Sequence, residues 1–412
     1  MELERQDDRL VRQNQLRVAL FSGNYNYQRD GANQALNRLV GYLERQGVAV
    51  RVYSPTSATP AFEPTGTLVS VPSFKIPTRG EYRFAFGLPE AIRRDIRAFA
   101  PTLIHLSAPD RLGFRAKAFA RELGVPVVAS VHTRFDTYLT YYGLAWVNRF
   151  IANILRRFYG DLAEVYAPSE SMAEVLRADG MAERVSIWSR GVDRVLFNPA
   201  RRSFDWRRAQ GFGDDQPVIA FVGRLVLEKG LDVFADTIAL LKAQAVPHRV
   251  LIVGEGPARA WVEERLPEAV YTGHLAGTAL AQAYASADML FNPSITETFG
   301  NVTLEAMASG LPVVAARATG STSLVEDGVT GRLAAPGCVP EFASVLRRYL
   351  VDATARTLAG RAGLTASARY DWDDINQGML DHYLNVVGAP PSRCLPTPHL
   401  APFNEARFVR AA

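Results

Sequence analysis

The sequence predicts an α/β fold of two doubly wound, Rossmann-like domains that face each other across a cleft. Short β-branched runs alternate with amphipathic segments from residue 17 onward, and a second series of the same kind begins near residue 216. This alternation is typical of βαβ units and parallel sheets. A chain of 412 residues also exceeds one ordinary core, which favours two domains.

The first domain is predicted over residues 17–198. Its strands are expected at RVALFS, VAVRVYS, LIHLS, VPVVASVH and EVYAPS. Between the first two strands, residues 32–46 place their apolar side chains on one helical face, and Gly47 follows where helices often end. Residues 1–16 are polar and charged, lack the apolar core of a secretory signal, and are predicted to be a flexible end.

The second domain is predicted over residues 214–370, after a boundary passage at residues 198–216. Its strands are expected at VIAFVGR, RVLIVGEG, AVYTGH, DMLFNPS and PVVAAR. Residues 371–388 are predicted to form a closing helix, and the Pro-rich tail at 389–412 a second flexible end. Ligands of doubly wound sheets bind at the carboxyl ends of the strands, so the cleft is the expected binding site.

Composition argues against several classes of function. The chain has 46 basic and 42 acidic residues, and a net charge of +4 is too small to indicate a nucleic-acid partner. Cys338 and Cys394 lie far apart without metal-ligand spacing, which favours a reduced compartment and no metal site. The sequence does not indicate an oligomeric state.

Two segments are candidates for contact with a lipid. Residues 144–158 (LAWVNRFIANILRRF) are apolar but contain Arg149 and end with Arg156 and Arg157, so they cannot span a bilayer. They form either a helix that lies on a membrane or a core helix with a solvated basic edge, and the sequence favours neither reading. Residues 74–86 are the second candidate surface.

The motif VGRLVLEKG places Arg224 and Lys229 just after a strand, in the turn before a helix that begins near Leu231. Arginine can contact two phosphate oxygens at once and lysine supplies a mobile point charge, so the pair suits a diphosphate. A solvated loop, with Glu228 as a partner for one of the cations, is an equally good reading of these residues alone.

The motif ETFGNVTLEAMASGLPVVA holds two glutamates with seven residues between them, Glu297 and Glu305. A helix is predicted from about Asn301 to just before Gly310, so Glu297 precedes it and Glu305 lies about one turn inside. The glutamates therefore do not form a simple pair on one face. Backbone N–H groups at the start of this helix can bind an anion without any side chain.

Other motifs are weaker. Gly31 opens a helix after the first strand, where backbone can approach a phosphate, although a glycine there is more often a turn residue. His132 follows a strand, but a lone histidine is usually structural. The segment VGEGPAR has Arg259 in place of the third glycine of a dinucleotide fingerprint, which argues against a nicotinamide or flavin site. The acidic DWD that opens the closing helix suits the helix dipole better than a metal.

Together these motifs resemble the retaining glycosyltransferases of family four, which have the GT-B fold. The resemblance covers residues 17–387 and rests on VGRLVLEKG, VGEGP, TGHL, ETFGNVTLEAMASGLPVVA and EDGVTGRL, with SVHTRFDTYLTYYG, APSESMAEVL and SRGVDRVLFNP in the first half. Within the family, EYRFAFG, HTRFDTYLTYYG and RGVDRVLFNP look most like the branch of mannosyl- and sulfoquinovosyl-transferases that act on lipids.

The resemblance implies residue roles. Arg224 and Lys229 would clamp the donor diphosphate, and Glu305 would hold the ribose hydroxyls. Glu297 would contact the donor sugar, and His132 would lie beside the reacting sugar. The remaining donor-binding positions would act largely through backbone: Gly31 at the phosphates, Gly254, Glu255 and His274 at the nucleobase, and Phe299, Gly300 and Asn301 at the sugar. Val302 would be a further donor-binding position. The chain departs from many relatives in having Asp30 and Gly31 where they carry paired glycines.

The resemblance also implies a reaction: transfer of a hexosyl unit from a UDP- or GDP-sugar to a lipid acceptor, with retention, without a metal or other cofactor. The expected location is the cytoplasm, including the inner face of the cytoplasmic membrane. The alternatives are transfer to a polysaccharide precursor, a phosphorylase, a nucleotide-sugar epimerase, and a non-enzymatic nucleotide-sugar sensor. For a phosphorylase, the sequence shows no lysine site for the cofactor.

Overall fold

A computed structural model of the chain describes residues 13–27, 30–76, 79–132 and 148–388. It divides into two compact units. Unit 1 contains the described residues up to Arg190 and those from Trp372 onward, and unit 2 contains residues 191–371. The chain thus leaves unit 1 before the predicted boundary passage at 198–216, and the predicted tail at 389–412 lies outside the described residues.

Unit 1 alternates strands and helices, and it contains all five strands predicted from its sequence. Its elements before residue 191 are β1 (Arg17–Phe21), α1 (Gly31–Arg45), β2 (Ala49–Ser54), β3 (Thr67–Ser70), β4 (Ser73–Ile76), β5 (Arg79–Ala85), α2 (Glu90–Phe99), β6 (Leu103–Leu106), α3 (Arg111–Leu123), β7 (Val127–Ser130), α4 (Asn148–Tyr159), β8 (Glu164–Ala167), α5 (Glu170–Ala178) and β9 (Val185–Ile187).

Seven of these strands form one parallel sheet in the order β3-β2-β1-β6-β7-β8-β9, and β4 and β5 form a separate antiparallel hairpin. Strands β6 and β7 are buried along their whole length, so both of their faces lie in the core and their sequences do not alternate between apolar and polar residues. The order reverses between β1 and β6, so the loops that follow these two strands form the switch point of the sheet.

The prediction of a flexible N-terminal end over residues 1–16 includes residues that are packed in the structure. Leu16 is only 1% exposed, and the Gln13 side-chain amide donates to the carbonyl oxygen of Gln46 at 2.6 Å. These residues pack against the turn that ends α1, where Gly47 adopts a left-handed φ of 79° as the sequence predicted. Residues 1–12 lie outside the described part of the chain.

Unit 2 has the same architecture, again with every predicted strand present. Two single 3₁₀ turns, at Pro199–Arg201 and Leu227–Lys229, accompany α6 (Phe204–Ala209), β10 (Val218–Val222), α7 (Leu231–Ala243), β11 (Arg249–Val253), α8 (Arg259–Arg265), β12 (Val270–Gly273), α9 (Gly277–Ser286), β13 (Met289–Asn292), α10 (Asn301–Ala308), β14 (Val313–Ala316), α11 (Ser321–Leu324), β15 (Gly331–Ala334), α12 (Val339–Val351) and α13 (Ala353–Ser367).

The sheet of unit 2 has the strand order β12-β11-β10-β13-β14-β15, so its switch point lies between β10 and β13. The passage predicted as a domain boundary is packed on this unit. Arg207 in α6 is fully buried, and its guanidinium pairs with Asp288 at 3.1 Å just before β13. A buried charge of this kind needs such a partner, so this passage is part of the domain rather than a loose connection.

The last helix, α14 (Trp372–Gly388), returns to unit 1 and packs on α1. Its early acidic residue Asp373 pairs with Arg45 at 2.7 Å. In the described ranges, no group of His, Cys, Asp and Glu side chains has the arrangement of a metal site. None of the described helices has the length and apolar character needed to cross a bilayer.

Candidate functional site

The switch point of unit 2 brings Lys229 and Glu297 into contact. Lys229 ends the turn after β10, Glu297 lies in the loop after β13, and their side chains meet with Nζ and Oε1 2.7 Å apart. Gly230 allows the close approach of the two loops: it has φ of 73°, and a Cβ there would lie 3.0 Å from the Pro293 carbonyl oxygen. Two motifs that are 68 residues apart thus form one site.

The structure distinguishes the two cations. The Lys229 and Glu297 side chains are only 28% and 17% exposed, so Lys229 is not a solvated loop residue, and its ion-pair partner is Glu297 rather than Glu228. Arg224 is exposed and makes no ion pair with any described residue. A partly buried lysine and an exposed arginine therefore flank the carboxyl end of β10.

Helix α10 begins at this site with unused backbone N–H groups. Gly300 precedes it with φ of 100°, and no side chain caps the helix, so the N–H groups around Asn301 and Val302 remain available to an anion. Gly320 allows close packing against the loop before α10, because a Cβ there would lie 2.9 Å from the carbonyl oxygens of Glu297 and Phe299. The ring of Phe299 is buried, which anchors the loop.

Glu305 lies one turn inside α10 and has a partner that the sequence did not reveal. The Tyr284 hydroxyl, on α9, donates to Glu305 Oε2 at 2.9 Å. Burial raises the pKa of Glu305 to about 7, and the Tyr284 hydrogen bond offsets only part of that effect. Glu305 is therefore a carboxylate whose charge changes near neutral pH.

The predicted nucleobase positions lie after β11 and β12. Gly254 has φ of 146°, and a Cβ there would lie 1.9 Å from the Gly223 carbonyl oxygen, so backbone at the ends of β10 and β11 is in direct contact. The exposed Glu255 pairs with Arg259 at 2.6 Å, which explains the arginine that breaks the dinucleotide fingerprint. His274 follows β12 and is exposed.

In unit 1, His132 follows β7 and belongs to a chain of hydrogen bonds. Its Nδ1 lies 2.9 Å from Arg190 Nη2, and its Nε2 lies 2.9 Å from Ser130 Oγ. Ser130 Oγ also contacts His105 Nε2 at 2.9 Å, and His105 Nδ1 contacts the Tyr383 hydroxyl on α14. Apart from His132, which is partly buried, every member of this chain is buried, and the sequence analysis missed these four partners.

The direction of each hydrogen bond in this chain follows from its arginine. Arg190 can only donate, so His132 Nδ1 accepts and the neutral ring carries its hydrogen on Nε2. Ser130 Oγ accepts that hydrogen and donates its own to His105 Nε2, the other partner that the described residues offer it. His105 Nδ1–H then donates to Tyr383. Burial and the adjacent Arg190 charge keep the pKa of His132 well below its usual range.

Unit 1 should lose stability in acid because of these rings. Burial lowers the pKa of His105 to about 3, so between that value and 6.5 the unfolded chain binds a proton that the folded one does not. At pH 5 this costs about 2 kcal/mol relative to pH 8 from His105, and His132 acts in the same direction. The measurement is the urea midpoint for unfolding of unit 1 between pH 8 and pH 5, with hydrogen exchange of the β7 amides as the probe.

His382 provides the control for this prediction. It lies on α14 next to Tyr383, and its hydrogen bond with Glu164 raises its pKa, so its contribution has the opposite sign. The substitution His382→Gln should therefore leave the acid loss in place or enlarge it. A midpoint that does not fall between pH 8 and pH 5 would show that the two rings are not held neutral.

The switch point of unit 1 presents carboxylates. Asp30 caps α1 by accepting from the Asn33 backbone N–H at 2.8 Å, and the Asp30 backbone N–H donates to Asn33 Oδ1 at 3.1 Å. The helix start at Gly31, which the sequence predicts as a phosphate contact, thus already has an anionic carboxylate beside it. Asp110, which caps α3 after β6, lies so close that a Cβ on Gly23 would be 2.5 Å from its Oδ2.

Comparison with known proteins places most of the chain among sugar-transferring enzymes. The family model described as Glycosyltransferase Family 4 matches residues 29–195, and the model described as Glycosyl transferases group 1 matches residues 216–352. The sulfoquinovosyl transferase SQD2 of Arabidopsis thaliana is 33% identical over 83% of this chain and 68% of its own length. A GDP-mannose-dependent alpha-mannosyltransferase of Mycolicibacterium smegmatis is 33% identical over 90% of this chain and 98% of its own.

A more distant relative and two solved structures complete the comparison. The alpha-monoglucosyldiacylglycerol synthase of Streptococcus pneumoniae is 24% identical over 77% of this chain and 75% of its own length. The sucrose-phosphate synthase of Thermosynechococcus elongatus has a TM-score of 0.75 at 20% identity, covering 90% of this chain and 99% of that one. Anabaena HepE, solved with UDP and glucose, has a TM-score of 0.67 at 22% identity, covering 89% and 99%. These structures confirm the GT-B fold.

Proposed function

Since the chain belongs to glycosyltransferase family 4, we propose that it transfers a hexosyl unit from a UDP- or GDP-sugar to a membrane lipid, with retention of the anomeric configuration. The observation that carries the proposal is the contact between Lys229 and Glu297 beside the uncapped start of α10. A lysine, free backbone N–H groups and a nearby arginine at one switch point suit a diphosphate with a sugar attached.

The chemistry needs positive charge where the leaving group gains negative charge. As the bond between the sugar and the diphosphate breaks, Lys229 and Arg224 would stabilise the departing nucleoside diphosphate. Lys229 would exchange its contact with Glu297 for a phosphate oxygen, which leaves the Glu297 carboxylate to accept hydrogen bonds from sugar hydroxyls. The departing phosphate would take the proton of the acceptor hydroxyl on the same face of the sugar, so no carboxylate nucleophile is required.

The donor nucleotide is either UDP or GDP. Relatives named as GDP-mannose-dependent support the second, and the likeness to a fold solved with UDP is compatible with the first. In either case Glu305, with Tyr284 behind it, would accept hydrogen bonds from the ribose hydroxyls, which both nucleotides share. The backbone contact of Gly254 with Gly223 would border the base.

The lipid acceptor rests on the names of relatives and on the surface of unit 1. One relative is named alpha-monoglucosyldiacylglycerol synthase, and unit 1 exposes aromatic side chains next to basic ones. We propose that the enzyme works in the cytoplasm at the inner face of the membrane. No metal or other cofactor enters the proposed reaction.

Incubation with labelled UDP- and GDP-sugars and extracted membrane lipids tests the function. Label is expected in the organic phase with either the UDP-sugars or the GDP-sugars, but not with both. Analysis of the labelled lipid should show an α-linkage. Label only in water-soluble polymer would contradict the lipid acceptor and favour a polysaccharide precursor. A changed nucleotide sugar without acceptor would indicate an epimerase, and tight binding without turnover would indicate a sensor.

A further inference from the structure

The structure separates the two candidate lipid surfaces. In α4, four side chains face the core of unit 1 and are at most 8% exposed: Ala152, Leu155, Phe158 and Tyr159. Ile151 and Ile154 are partly buried, and Phe150 is 66% exposed. From residue 150 onward, this helix is thus a core helix with a basic edge, and the predicted segment before residue 148 lies outside the described residues.

The hairpin of β4 and β5 presents the opposite arrangement. Phe74, Phe84 and Phe86 are 42%, 37% and 56% exposed, and the ring of Phe74 lies 5.6 Å from that of Phe84 and 5.2 Å from that of Phe86. Phe74 and Phe84 are direct cross-strand partners, so the three rings share one face. Ala85 is 5% exposed and belongs to the core of unit 1, so the hairpin is held with its aromatic face outward.

Four basic residues lie on the hairpin or near its end, and Lys75 and Arg83 alternate with the phenylalanines along the strands, so these two side chains leave the opposite face. Lys75 and Arg83 are direct partners across the hairpin, where like charges destabilise. Arg111 and Arg115 are exposed and four residues apart on α3, and a Cβ built on Gly87 would lie 3.9 Å from Arg111 Nε and 3.6 Å from Arg115 Cγ. Within the described ranges none of the four forms an ion pair, which leaves their charge available to an external anion.

We propose that the β4–β5 hairpin is the surface by which this protein docks on an anionic lipid bilayer, with the three Phe rings entering the interface and the four cations contacting lipid headgroups. Aromatic rings favour the boundary between headgroups and acyl chains, and long basic side chains extend toward headgroup phosphates. The inference rests on the proposed lipid acceptor and adds the place of contact.

Vesicle flotation tests this docking surface with the full chain. Vesicles of phosphatidylcholine with phosphatidylglycerol should carry the protein, and phosphatidylcholine alone should carry it at least about tenfold less well. A variant with Phe74→Ser, Phe84→Ser and Phe86→Ser should bind the mixed vesicles at least about tenfold more weakly. A variant with Lys75→Gln, Arg83→Gln, Arg111→Gln and Arg115→Gln should lose the preference for anionic lipid.

Two exposed phenylalanines elsewhere serve as matched controls. Phe150→Ser on α4 and Phe204→Ser in unit 2 remove similar exposed rings and should leave flotation unchanged. Wild-type-like binding by the triple Phe variant, or a large loss with Phe150→Ser alone, would overturn the proposal. Absence of vesicle binding by the wild type would overturn it as well.

Failure of the docking surface can be distinguished from failure of the proposed function. Hydrolysis of the donor in the absence of lipid does not require docking, so the triple Phe variant should keep it at the wild-type rate, which also shows that it folds. If the wild type binds vesicles through the hairpin but transfers no sugar, the docking surface stands and the proposed reaction fails. If transfer to lipid persists when the hairpin is changed and flotation is unaffected, the reaction stands and the hairpin does not.

Discussion

Replacing Lys229 by alanine is expected to lower the turnover number for sugar transfer by about 10²–10³-fold, the loss typical when one group that stabilises developing negative charge is removed. The reason lies in the contact of Lys229 with Glu297, because the variant leaves a partly buried carboxylate without its cation at the place proposed for a diphosphate. Lys229→Ala therefore removes an attraction and also adds a repulsion. The measurement is single-turnover transfer at saturating donor.

Charge-conserving variants sharpen this test. Lys229→Arg should recover part of the rate, because a cation can still reach both Glu297 and a phosphate. Arg224 is exposed and unpaired among the described side chains. Arg224→Lys should lose the bidentate contact but keep the positive charge, so its turnover should fall less than that of Arg224→Ala. Near-normal turnover of both alanine variants would rule out the proposed clamp.

The two glutamates should differ in their effects on kinetics. Glu297 lies beside Lys229 and the start of α10, so Glu297→Ala should slow transfer as well as weaken donor binding. Glu305 accepts a hydrogen bond from Tyr284 and not from Lys229, so Glu305→Ala should mainly weaken donor binding. The observation that both variants change only the donor affinity would contradict this division.

Local patterns in the sequence predicted those parts of the fold and site that depend on neighbours in the chain. The start of α10 at Asn301, the start of α7 at Leu231 and the glycine that ends α1 were all correctly predicted. Each depends on a glycine, a proline or an apolar period within a few residues. The contact of Lys229 with Glu297 could also have been predicted, because both residues follow strands that doubly wound sheets place side by side.

Contacts between distant elements could not be predicted in this way. Nothing near Tyr383 in the sequence indicates that α14 returns to unit 1 and meets His105, and nothing near Tyr284 indicates Glu305. The capping of α1 by Asp30 had a local signal, an Asp three residues before Asn33, and the role of Gly31 at a phosphate stays a prediction. These roles depend on contacts between elements far apart in the chain, and local patterns in a single sequence do not show such contacts.

Glu305→Gln is expected to stabilise unit 2 and to weaken donor binding at the same time. The folded pKa of about 7 exceeds the unfolded value of 4.5, so the folded protein binds the extra proton, and stability falls as pH rises through this window. At pH 8 the ionised group costs about 3 kcal/mol, and glutamine avoids this cost while still accepting from Tyr284. The free energy of unfolding of the variant should therefore exceed that of the wild type at pH 8 and equal it near pH 4.

Donor binding should show the same ionisation with the opposite consequence. An ionised Glu305 accepts stronger hydrogen bonds from ribose hydroxyls than a neutral amide does, so Glu305→Gln should weaken nucleotide binding by about tenfold at pH 8. Wild-type affinity should fall as pH drops through 7, whereas the variant retains only the weaker pH dependence of the nucleotide phosphates. Calorimetric titration with UDP and GDP from pH 6 to pH 8 measures the difference. A variant that is no more stable than the wild type at pH 8 would show that the charge of Glu305 does not destabilise unit 2. A wild-type affinity that parallels that of the variant across this range would show that the ionised Glu305 does not bind the donor.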